Sequence, residues 1–74
     1  VEIDIGLEKS GTVAGVEIKA AATVMEKDFR GLKKLRATND ERFVAGVVLY
    51  DGEHVANFGE KLYAIPIRAL WRTK

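Results

Sequence analysis

The chain has 74 residues, with 12 Lys+Arg against 11 Asp+Glu, a formal net charge of +1, 47% hydrophobic residues and no cysteine. This is the size of one domain or part of one, too apolar for a disordered segment and too evenly charged for a strongly basic DNA-coating protein. The missing cysteine excludes disulfides, thiol catalysis, iron–sulfur clusters and cysteine-based zinc sites, and favours a cytoplasmic setting over secretion. No apolar run approaches the roughly 18 residues that would cross a bilayer, so no membrane span is expected.

Residues 1–9, VEIDIGLEK, alternate strictly, with Val1, Ile3, Ile5 and Leu7 on one face and Glu2, Asp4, Gly6 and Glu8 on the other. Period two is the mark of a half-buried strand. Ser10-Gly11 is a turn signal, and residues 12–20 alternate again, Ala14, Val16 and Ile18 against Gly15, Glu17 and Lys19. An antiparallel hairpin is predicted. The chain opens inside this pattern, without an initiator Met, which suggests a piece of a longer protein.

Thr23 followed three residues later by Glu26 fits a capping box, and predicts a helix over about 24–37 with Met25, Phe29, Leu32 and Leu35/Arg36 on one stripe. Gly31 costs such a helix about 1 kcal/mol relative to Ala; a close approach of helix to sheet would account for it. Asn39-Asp40 ends the helix. The run FVAGVVLY, residues 43–50, reads as a strand buried on both faces, parallel to residues 12–20 through a right-handed crossover. Asp51-Gly52 is a turn, residues 54–58 and 61–65 are two short strands around Gly59-Glu60, and Pro66 opens a closing helical turn over 66–72 with Ile67, Leu70 and Trp71 inward. The fold class is α/β, a mixed sheet with an N-terminal hairpin, one crossover helix and a short C-terminal helix.

The hairpin carries the chemistry. With Ser10-Gly11 as a two-residue turn, paired positions sum to 21. Ile3 faces Ile18, Ile5 faces Val16 and Leu7 faces Ala14, which matches the apolar face and disfavours a one-residue slip. The same register sets Asp4 opposite Glu17 and Glu2 opposite Lys19 on the second face. Directly opposed carboxylates repel at the roughly 5 Å of cross-strand neighbours. A hard divalent cation relieves that repulsion, and Mg²⁺ is commonly held by one or two carboxylates. Asp4 and Glu17 are therefore candidate metal ligands. Lys19, two residues from one of them on the same side, could position a metal-activated water or neutralise a phosphate. The plain alternative is a solvated strand face with a cross-strand Glu2–Lys19 pair.

Asp4, a gap of 12 residues, then Glu17-Ile18-Lys19 resembles the signature of the PD-(D/E)xK, or restriction-endonuclease-like, superfamily. More of the chain is covered by a second resemblance. Glu2-Ile3-Asp4, Val16 to Ala20, Asp28 to Leu32, Gly46 to Tyr50 and Ala64 to Trp71 look like the C-terminal nuclease-like domain of predicted prokaryotic AAA-type ATPases. The resemblance implies a truncated restriction-endonuclease-like core, a single domain fragment over 1–74 lacking its upstream helix and ATPase domain. It also implies Mg²⁺, or Mn²⁺ in its place, bound by Asp4 and Glu17, catalysis by Asp4, Glu17 and Lys19, and DNA as partner. The alternative is a catalytically inactive interaction or nucleic-acid-binding module that regulates the ATPase. The chain itself holds no phosphate-binding Gly-rich Lys motif. An uncovered sheet face would favour self-association.

Other features have plainer readings. Lys27, Arg30, Lys33, Lys34 and Arg36 read as an exposed helix face rather than a phosphate track, His54 as surface, and Phe29, Phe43, Phe58, Tyr50, Tyr63 and Trp71 as packing. Gly15 and Gly46 leave room either for a close neighbour or for substrate.

Overall fold

The structure is a computed structural model that describes residues 2–71, and the side chains of residues 5–70. Two eight-residue strands, β1 (Glu2–Lys9) and β2 (Thr12–Lys19), form the expected hairpin. Their pairing runs from Glu2↔Lys19 to Lys9↔Thr12, the register that matches the apolar positions. Ser10 and Gly11 both have positive φ, 54° and 82°. A type I′ turn requires this, and its twist suits the strands it joins. Arg42 braces the turn from across the sheet, donating from Nε to the Gly11 carbonyl (2.9 Å) and from Nη2 to Glu8 (2.7 Å).

A loop leads from β2 into a 3₁₀ turn (Glu26–Phe29) and then α1 (Arg30–Asn39). The helical segment therefore begins later than predicted and ends slightly later. Its start is set by Met25 and Asp28, not by Thr23 and Glu26: the Asp28 carboxylate accepts the Met25 N–H at 2.7 Å, and the Asp28 N–H donates to the Met25 carbonyl at 2.9 Å. A buried carboxylate needs hydrogen-bond donors, and the Met25 N–H is one that the helix start supplies. Met25 points outward at 47% exposure, so the inward stripe starts at Phe29. At the far end Asp40 takes φ 50°, which stops α1 after Asn39.

β3 (Phe43–Tyr50) pairs parallel with β2, and β5 (Leu62–Pro66) parallel with β3. The two-residue β4 (Ala56–Asn57) lies antiparallel on the far edge, giving the order β1-β2-β3-β5-β4. The expected strand over 54–58 is thus much shorter, and Pro66 closes β5 instead of opening a helix. The closing element is a 3₁₀ turn, Ile67–Trp71, in which Leu70 is half exposed, contrary to expectation. The side chain of Trp71 lies outside the described residues.

α1 packs on one face of the sheet. Phe29, Leu32, Phe43, Val48, Tyr50, Leu62 and Ala64 form the core, and the Phe29 and Phe58 rings stack at 4.8 Å. Gly15 and Gly46 let the helix come close: a Cβ at Gly15 would stand 2.6 Å from Leu32 Cδ2, and one at Gly46 would stand 3.3 Å from Leu32 Cβ. Gly31 is different, since a Cβ there would meet nothing within 4 Å, so helix–sheet approach does not account for it. The other face carries Ile5, Leu7, Ala14, Val16, Ile18, Val47, Leu49, Tyr63 and Ile65, all exposed or half-buried. β3 is accordingly buried on one face, not both. A bulge where β3 meets Val13 and Ala14 leaves Val44 out of the pairing and 48% exposed.

Candidate functional site

Alternation along β2 places Val13, Gly15, Glu17 and Lys19 on the face that α1 covers. Asp4 pairs with Glu17 in the backbone register, as predicted. Its side chain lies outside the described residues. Glu17 and Lys19 thus sit on the helix-covered face rather than on an open strand face. The more apolar set of the hairpin is the one turned away from α1.

Glu17 is 8% exposed and lines a cleft of about 180 Å³ between the hairpin and α1, together with Gly6, Gly15, Gly31, Leu32 and Leu35. Gly6 and Gly31 are open on this side, since a Cβ at either would meet nothing within 4 Å.

Lys19 reaches toward the start of the helical segment. Its ammonium donates to Asp28 Oδ2 at 2.5 Å, with side-chain exposures of 16% for Lys19 and 6% for Asp28. The plain reading named Glu2 as the partner of Lys19, and the side chain of Glu2 lies outside the described residues. The same carboxylate oxygen accepts the Met25 N–H at 2.7 Å. Burial pushes the Asp28 carboxyl up, but the Lys19 hydrogen bond, the Met25 N–H and the charges of Lys19 and Lys27 outweigh it. The carboxyl is held below its ordinary 3.8 and stays ionised.

Among the described residues no three His, Asp or Glu side chains converge to hold a metal. Of the two carboxylates expected to bind one, only Glu17 has a described side chain. A larger open groove, about 580 Å³, lies between α1 and the turn after β4, lined by Lys33, Arg36, Asp40, Glu41, Glu60 and Lys61. Its charges are mixed and its cations engaged: Lys33 pairs with Glu26 (2.7 Å), Arg36 donates to the Glu60 carbonyl (2.8 Å) and Lys61 to the Phe43 carbonyl (3.1 Å). That does not make a phosphate track, in keeping with the plain reading of the helix charges.

The family model described as a domain of unknown function, DUF4143, matches residues 1–70. The chain belongs to the DUF4143 family. No curated protein and no solved structure matches it. In this DUF4143 domain no helix among the described residues is long and apolar enough to cross a membrane. The residue that sequence reasoning gave no role in the site is Asp28, quoted there only within the motif Asp28 to Leu32. The available signal was its place three residues after Met25, where an N3 acid closes a helix start. Its pairing with Lys19, nine residues away, has no local signature.

Proposed function

We propose that the chain is a nuclease-like module of an AAA-type ATPase, contacting nucleic-acid phosphodiesters with Mg²⁺. The observation that carries this reading is the hairpin register, with Asp4 opposite Glu17 and Lys19 two residues further along the same face. The family's association with AAA-ATPase-containing proteins supports the link to an ATPase. In this reading Asp4 and Glu17 hold the metal, Mg²⁺ or Mn²⁺, and Lys19 serves the attacking water or the phosphate. DNA and an ATPase domain are the partners. The metal would supply an acidified water and charge neutralisation.

A second reading is an interaction or nucleic-acid-binding module that keeps the scaffold without catalysis and regulates its ATPase. It is favoured by the burial of Glu17 and by the engagement of Lys19 with Asp28 beneath α1.

Calorimetric titration of Mg²⁺ and Mn²⁺ into the chain and its Glu17→Ala variant separates the two. The first reading expects binding that Glu17→Ala weakens at least tenfold; equal affinity removes the metal site. Divalent-dependent plasmid nicking that disappears in Lys19→Ala would establish an enzyme.

A further inference from the structure

Lys19 is a long, flexible cation whose usefulness to a phosphodiester depends on where its ammonium is held. Here it is held by Asp28, 6% exposed, at 2.5 Å. Asp28 is itself fixed, because the oxygen that accepts from Lys19 also accepts the Met25 backbone N–H at 2.7 Å. A donor that belongs to the main chain cannot swing away, so the chain of contacts runs from backbone to carboxylate to ammonium. An ammonium has three protons, and the bond to Asp28 uses one of them. Lys19 retains 16% side-chain exposure, so the cation is anchored without being sealed off.

We propose that Asp28 is a positioning residue of the site: through its contacts with Met25 and Lys19 it orients the Lys19 ammonium toward a bound phosphate. This rests on the reading of Asp4, Glu17 and Lys19 as a phosphodiester site, and extends that site to the loop–helix junction. Binding a phosphate then requires no ordering of the lysine, a cost that a freely rotating side chain would incur at that moment.

The test uses the whole chain and a phosphorothioate dinucleotide as probe, with Mg²⁺ present. Asp28→Asn is the central variant, since its amide oxygen still accepts the Met25 N–H while the charge that holds Lys19 is gone. The expected result is a probe Kd about tenfold weaker in Asp28→Asn and in Lys19→Ala. The double variant should be no weaker than Lys19→Ala alone, and Mg²⁺ affinity without probe should stay within twofold of wild type. Probe affinity unchanged or improved in Asp28→Asn, while Lys19→Ala loses it, overturns the positioning role alone. The pair would then be a tie within the fold, or a latch holding the lysine back. Failure of the wild type to bind the probe, or binding that Lys19→Ala leaves untouched, overturns the phosphodiester site and this inference with it. A lowered Tm in Asp28→Asn without a change in probe Kd marks a purely structural contact, and also overturns the proposal.

Discussion

The two faces of the sheet differ in a way that reverses their sequence appearance. In the hairpin, the strand positions that look like core are Ile5, Leu7, Val16 and Ile18, yet these lie on the face without the helix, with Ile5 at 41% and Leu7 at 52% exposure. The positions beneath α1 are Gly15, Glu17 and Lys19, two of them charged. Hydrophobic alternation separates the faces of a strand, but does not say which one a helix will take. Shape settles it here: Gly15 and Gly46 offer the flat surface into which Leu32 fits, and Asp28 arrives with α1 to meet the buried end of Lys19. A face with a built-in cation partner and two glycines at the point of contact accommodates a helix that a ridge of Ile and Val would hold off.

This contrast can be broken from the covered side first. Phe29 is fully buried and stacked on Phe58, so Phe29→Ala is expected to cost about 3–5 kcal/mol in denaturant unfolding. Asp28→Ala leaves the Lys19 ammonium partly buried without its carboxylate and should cost about 3 kcal/mol. The pH dependence gives its sign. The Asp28 carboxyl is depressed in the fold below 3.8, so its contribution is complete above that value and fades as pH falls further. The Tm gap between wild type and Asp28→Asn should therefore be constant near neutrality and close below about pH 3.8. A gap that widens on acidification would contradict the ionised pair.

Two glycines sharpen the comparison. Gly15→Val drives branched carbons into Leu32 and Leu35, and about 1–3 kcal/mol of destabilisation is expected. Gly31→Ala enters open space in a helix and should stabilise by about 0.5–1 kcal/mol, read as a raised Tm. The smallest effect belongs to the open face. Ile5→Lys with Leu7→Lys should change unfolding free energy by less than about 0.5 kcal/mol per site. The same pair should reduce the self-association expected of a chain with this apolar surface. Sedimentation velocity at high concentration measures it, and a wild-type chain that stays monomeric would count against that expectation.

Much of the fold and part of the site were legible in the residues. Period-two alternation on both sides of Ser10-Gly11 determined the hairpin, and the matching of Ile3, Ile5 and Leu7 with Ile18, Val16 and Ala14 determined its register, hence the opposition of Asp4 and Glu17. The Val-rich run after a helix determined a parallel β3, because a crossover has one favoured hand. These are local or pairwise patterns along the backbone. The start of the helical segment, the face that α1 covers, the shortness of β4 and the outward turn of Leu70 were decided only in three dimensions. So was the pairing of Lys19 with Asp28, nine residues on, which has no local signature. The packing of α1 against Gly15 and Gly46 is what brings the aspartate to the ammonium.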